Sequence, residues 1–300
     1  MKFKFSSLTE LLEILHSENI SLEDYAVKRE ASLLGISEKS VLYRMENRIG
    51  VTRSSLIKGL AIPQYSKSGL TKAAASLYFN SQKKLLDNEL FRRTAAYSLA
   101  INEVNACGGR IAAFPTAGSS GIVSGAIWAW WDVKNNAPMI PVMDDLGLPK
   151  KLIAAFLVSA MTGVIISQNA TLAGAEGGCQ AECGSAAAMA ASALVYLEDL
   201  STEDSFNAAA LSLKNSLGLA CDPVAGLVEV PCVKRNGFSA VNALLAADMT
   251  MAGIKSIIPF DDVVMAMKEI GEIMPSGIKE NAEGGLAVTP GGLEIKKKLS

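Results

Sequence analysis

Apolar positions recur three and four residues apart along most of the 300 residues. That is the period of helices, and no alternating strand pattern of useful length occurs. Ser7-Leu-Thr-Glu10 reads as a capping box ahead of Leu11, Leu12, Ile14 and Leu15. Ser21-Leu-Glu-Asp24 opens a second helix that Gly35 stops, and a third fills Glu38 to Asn47. Residues 50–82 are mixed and include a loop, Ser66-Lys-Ser-Gly-Leu-Thr71. Glu89 to Ala106 reads as one amphipathic helix ended by Cys107-Gly-Gly109. Further helices are expected from Ile122 to Val133, Pro149 to Gln168, Cys179 to Leu197, Ser201 to Leu217, Val233 to Ala252 and Asp261 to Met274. The Cys221–Cys232 segment reads as a loop with a short extended piece, Leu227 to Val230, and Glu283 to Ala287 as a late turn. The expected fold is mainly α: a multi-helix catalytic domain around a cysteine-bearing site, without internal repeats. Residues 1–60 form a more charged helical arm and residues 61–300 the core.

Two uncharged stretches, Leu152 to Ala175 and Ile111 to Trp131, reach the length of a membrane span. The first turns polar in its second half, and glycines and Pro115 interrupt the second, so both read as buried core of a soluble protein. Half of all residues are hydrophobic but only 6% aromatic, with small side chains suited to close helix packing. A net charge of −2 gives no electrostatic footprint for nucleic acid. The N-terminus lacks the apolar core of a signal peptide, which points to the cytoplasm, where five cysteines suit metal or reactive thiols better than disulfides.

Three of those cysteines, Cys179, Cys221 and Cys232, lie in or near Gly/Pro-rich turns. Their intervals are too long and uneven for the paired C-x-x-C knuckles of a zinc ribbon. Three thiolates without a fourth partner suit a [4Fe–4S] cluster with one iron open to chemistry. Cys107 and Cys183 read as small buried hydrophobes, although Cys183 stands one helical turn from Cys179. A second candidate is Pro115-Thr-Ala-Gly-Ser-Ser-Gly121, which leads into a helix. N–H groups at the helix start, beside Thr116, Ala117, Gly118, Ser119 and Ser120, form an anion site that a carboxylate would fit. An ordinary capped turn is the alternative.

These segments, with Asn102-Glu-Val-Asn-Ala106, Gly174 to Gly184 and Cys221-Asp-Pro-Val-Ala-Gly-Leu-Val-Glu-Val-Pro-Cys-Val-Lys-Arg-Asn236, resemble the iron–sulfur-dependent bacterial L-serine dehydratases, specifically the alpha chain of the two-chain form. The resemblance covers nearly the whole chain. It implies an L-serine ammonia-lyase in which Cys179, Cys221 and Cys232 hold a [4Fe–4S] cluster and the Thr116–Ser120 loop lies at the substrate pocket. The family's Gly-Leu-Thr segment is often followed by two glycines. Lys72-Ala73 stand there instead, and no site is carried over to it.

Lys214, Arg235 and Asn236 flank the cysteine segments and are candidates to orient L-serine or to neutralise the cluster; Arg235 is included with the substrate-binding set. No general base is legible. His16, the single histidine, sits on an amphipathic N-terminal helix between Glu13 and Glu18, as a surface residue does. Single-polypeptide relatives carry an added His-containing domain, so the resemblance implies a beta chain that supplies the base. The rivals are a cysteine desulfidase-type cluster lyase and a non-catalytic iron–sulfur subunit. No Schiff-base lysine on a phosphate loop supports a pyridoxal-phosphate enzyme.

Overall fold

A computed structural model describes residues 3–83, 85–138 and 147–300. The chain opens with α1 (Leu8–Glu18), α2 (Leu22–Leu34) and α3 (Glu38–Ala61). Ser7, Ser21 and Ser37 cap them, each accepting a backbone N–H three residues on. Asn19 and Gly35 end the first two in the left-handed conformation. Leu11, Tyr25, Ile49 and Leu56 of these helices are fully buried in the same core as the rest of the chain.

The third helix does not stop at Asn47 but continues to Ala61. Ile49, Thr52, Leu56 and Leu60 keep one face buried past the polar stretch. Packing on that face outweighs the roughly 1 kcal/mol that Gly50 costs inside a helix. It packs on α5 (Glu89–Ala106), where Gly59 permits contact: a Cβ there would lie 2.4 Å from the Ala100 carbonyl oxygen. A short α4 (Ala74–Asn80) was not legible in the sequence, because its first amides, Ala74 and Ala75, are capped by the distant Glu103 carboxylate at 2.5 and 3.1 Å.

α6 (Ser120–Lys134), α7 (Lys150–Asn169) and α9 (Ser185–Leu197) form the interior with α5. Between α7 and α9 come a four-residue turn of helix, α8 (Gly174–Gly177), and a π-helical turn, Gln180–Gly184. α9 is buried on every side, only Tyr196 among its residues escaping; its alanines let four helices approach, as expected of a helix apolar all round. α7 is long and apolar enough to cross a membrane, yet here it packs in the core against α9 and α2.

α10 (Thr202–Lys214) ends one turn earlier than expected, the chain turning through Asn215 to Gly218. α11 (Cys232–Met251), α12 (Phe260–Ile273) and α13 (Pro290–Leu299) follow. Leu227 to Val230 form a turn rather than an extended piece: Val224 N–H closes onto the Val230 carbonyl. Among the described residues no β-strand forms. Two isolated bridges join Tyr65 to Lys72 and Cys221 to Lys279.

Candidate metal centre and substrate loop

Three separate elements deliver Cys179, Cys221 and Cys232: the turn after α8, the segment after α10 and the first residue of α11. All three thiols are buried and none is in a disulfide. Gln180 fixes the spacing of the first two. Its N–H donates to the Leu219 carbonyl, its side-chain oxygen accepts from Gly218 N–H, and its amide nitrogen donates to the Met267 carbonyl of α12. Gly178, at φ 74°, makes the bend before Cys179. A side chain there would be strained and would strike Met274.

The segment after α12 closes over Cys221. Cys221 N–H donates to the Ile278 carbonyl at 2.8 Å, and Glu280 N–H donates to the Cys221 carbonyl at 2.7 Å. Glu280 itself has φ 66°, an uncommon conformation for a side-chain-bearing residue. Its carboxylate thereby joins Glu182 and the Cys221 thiol, the ligand atoms lying within 4.8 Å of one another. Gly174 leaves the room: a Cβ on it would stand 2.9 Å from Glu182 Oε2, 3.1 Å from Glu280 Oε2 and 3.2 Å from Cys221 Sγ.

Thiols this close cannot all ionise. Hydrogen bonds from Cys183 and Cys221, aided by the Arg235 guanidinium and opposed by burial, hold Cys179 well below the ordinary thiol range. The bond to Cys179 and burial push Cys221 and Cys183 up. Burial, with the Cys179 charge, pushes Cys232 up to about 12. Soft thiolate donors in a buried, disulfide-free group fit a metal centre, whose positive charge would reverse the thiols' reluctance to ionise. Cys183 is buried, as expected, and touches Cys179; Cys107 is only half-buried, at the end of α5, which corrects the reading of it as a buried hydrophobe.

The Thr116–Ser120 loop is held by asparagines. Asn102 and Asn236 amides donate to the Gly118 carbonyl at 2.9 and 2.7 Å, and Asn105 to the Ala117 carbonyl at 3.1 Å. Asn236 also accepts Gly121 N–H at 3.0 Å and donates to the Cys232 carbonyl at 3.0 Å, which ties the loop to the cysteine-bearing turn of α11. The expectation of open amides at the helix start is thereby corrected. The N–H groups of Ser119, Ser120, Gly121 and Ile122 already have acceptors. Among the described residues those of Ala117 and Gly118 have none, and both residues line a cavity of about 430 Å³ with Glu182 and Glu280. Thr116 and Ser119 hydroxyls pair at 2.9 Å, and the Ser120 hydroxyl is fully buried without a partner. Burial pushes Glu182 up to about 7 against the pull of its Thr116 hydrogen bond.

Arg235 donates to the Ala220 carbonyl at 2.7 Å and to Asp222 at 2.9 Å, bracing the Cys221 segment. Asp222 also accepts Leu286 N–H, so the same pair anchors the closing segment. Lys214 holds the Ser256 carbonyl. Glu103, as cap of α4, is committed to structure. His16 is 75% exposed beside Glu203. The sequence does not single out Glu280, because its place depends on the pairing of the late segment with Cys221; the glycines around it, Gly277 and Gly284, are the signal the sequence offers.

Fold and site together define a protein that is helical throughout its described residues, with a group of buried thiols near a loop that presents open amides. The chain belongs to the serine dehydratase alpha chain family, whose profile matches residues 13–287. It is 41% identical over 299 residues to the probable L-serine dehydratase, alpha chain, of Bacillus subtilis, covering 98% of this chain and 95% of that one. It is 36% identical over 292 residues to the L-serine dehydratase, alpha chain, of Peptoniphilus asaccharolyticus, covering 96% of each. With L-serine dehydratase 1 of Escherichia coli it shares 32% identity over 300 residues, covering 95% of this chain but 62% of that longer one.

Proposed function

We propose that this chain is the alpha subunit of a cytoplasmic L-serine ammonia-lyase, converting L-serine to pyruvate and ammonia. Its family membership supports this, and one observation carries it: three buried thiols lie near enough to shift one another's ionisation, and one of them, Cys221, adjoins Glu182 and Glu280 of a cavity that also presents the Ala117 and Gly118 amides. The reaction removes the α-proton and the β-hydroxyl of serine. The resulting enamine tautomerises to an imine, which hydrolyses. A [4Fe–4S] cluster held by Cys179, Cys221 and Cys232 would supply, at an iron without a protein thiolate, a Lewis acid for the departing hydroxyl oxygen. The chain's own residues do the rest of the positioning. Ala117 and Gly118 N–H receive the substrate carboxylate, and the Thr116 and Ser119 hydroxyls shape that loop. Arg235 and Asp222 keep the Cys221 segment closed under its cover. The general base comes from a beta chain docked at the cavity.

The test is anaerobic purification with a co-expressed beta chain, iron and sulfide analysis, and a pyruvate assay with L-serine. Iron, sulfide and serine-dependent pyruvate are expected together. Metal-free protein with full activity would end the reading. Faster sulfide release from L-cysteine than pyruvate release from L-serine would move it to a desulfidase.

A further inference from the structure

A serine zwitterion carries an ammonium group, and the roles assigned above leave that group without a partner. Three glutamates line the same cavity as the loop amides; Glu229 is held by the Ser68 and Thr71 hydroxyls, which leaves Glu182 and Glu280. Glu182 is already against the loop: a Cβ on Gly118 would lie 3.5 and 3.6 Å from its two oxygens, and it hydrogen-bonds Thr116. Glu280 is brought in by the closing segment, through the backbone bond to Cys221. The nearest cation of the thiol group, Arg235, is occupied by Ala220 and Asp222. Neither Glu182 nor Glu280 forms an ion pair among the described residues.

The cavity wall therefore sets N–H donors beside carboxylates, Gly118 next to Glu182. The neighbouring carboxylate and ammonium of a zwitterion suit that pairing, with the carboxylate on Ala117 and Gly118 and the ammonium toward Glu182 and Glu280. We propose that Glu182 and Glu280 are the specificity determinants that receive the α-ammonium group, so that the site accepts β-hydroxy-α-amino acids and discriminates against β-hydroxy acids that lack the amine. This rests on the serine dehydratase reading. It adds to that reading which end of the substrate each wall takes and why an amino acid is chosen.

The experiment compares wild type with Glu182→Gln and Glu280→Gln in the loaded complex with its beta chain. Two ligands are measured: L-serine, by KM and kcat, and 3-hydroxypropanoate, the same skeleton without the ammonium group, by competitive inhibition. Iron content is read for every preparation. Loss of a charge-assisted contact predicts a KM for L-serine raised about 10-fold or more, with the inhibition constant of 3-hydroxypropanoate within about twofold of wild type. Iron content stays at the wild-type level. Equal weakening of both ligands, or no change in either, would overturn the proposal. So would loss of iron, which would make the carboxylates metal ligands instead. If either variant fails to fold, Glu182→Asp and Glu280→Asp serve: the charge is kept at shorter reach, so the KM for L-serine should rise while the inhibition constant of 3-hydroxypropanoate stays within about twofold of wild type, and equal weakening of both ligands would overturn the proposal. Failure of the underlying reading has a different signature, a wild-type complex that forms no pyruvate from L-serine.

Discussion

At the scale of single residues, the thiols and the glycine beside them make the sharpest demands. Cys179, Cys221 and Cys232 each come from a different element, so none can substitute for another. Replacing any one by Ser is expected to abolish retention of iron and sulfide, whereas Cys107→Ser and Cys183→Ser keep them; elemental analysis of anaerobically purified variants checks this. Loss from Cys183→Ser with retention in Cys221→Ser would reassign the ligands. Gly174→Ala makes a complementary test. Its methyl would sit within 3.2 Å of Glu182, Glu280 and Cys221 atoms. Weaker binding of L-serine is expected, with a smaller change in melting temperature than a core substitution gives, because the clash lies within the site.

At the scale of elements, close approach of helices decides the sign of a glycine substitution. Gly121 and Gly125 let α6 lie on α5 at Ser98: a Cβ at Gly121 would be 2.1 Å from the Ser98 carbonyl oxygen and 3.0 Å from Asn236 Oδ1. Both helices would have to part, and with them the loop that Asn236 holds. Gly121→Ala should therefore cost about 1–3 kcal/mol of stability and weaken L-serine binding. Gly50 is also inside a helix but meets nothing within 4 Å. Gly50→Ala should stabilise by about 0.5–1 kcal/mol and leave turnover unchanged. Thermal unfolding of the two variants side by side checks the opposite signs. The same distinction explains what the sequence could convey. Helices with local caps, such as those at Ser7, Ser21 and Ser201, were legible because the signal and the element are neighbours. The length of α3, the existence of α4 and the position of Glu280 were not, because Ala100, Glu103 and Cys221 settle them from elsewhere in the chain. The cysteines and the Thr116–Ser120 loop were visible as segments. That Asn236 would occupy Gly121 N–H, and so move the open donors to Ala117 and Gly118, required their juxtaposition.

At the scale of the whole molecule, a beta chain is the proposed source of the general base. His16 lies exposed on α1 beside Glu203, Lys214 holds a backbone carbonyl, and Glu103 caps α4. The carboxylates that remain at the cavity, Glu182 and Glu280, are those assigned to the substrate's ammonium. The E. coli relative extends well beyond the region this chain matches, and the relatives that match end to end are called alpha chains. The alpha chain alone should therefore hold its metal and bind L-serine but form pyruvate slowly. A positioned acid or base contributes about 10²–10⁴-fold, so a deficit of that order is expected, restored on adding separately purified beta chain. Binding of L-serine by titration and pyruvate release by assay, each with and without the beta chain, separate the two functions. Turnover by the alpha chain alone equal to that of the mixture would place the base within this chain. Glu182, which burial brings to about 7, would then be the first group to test.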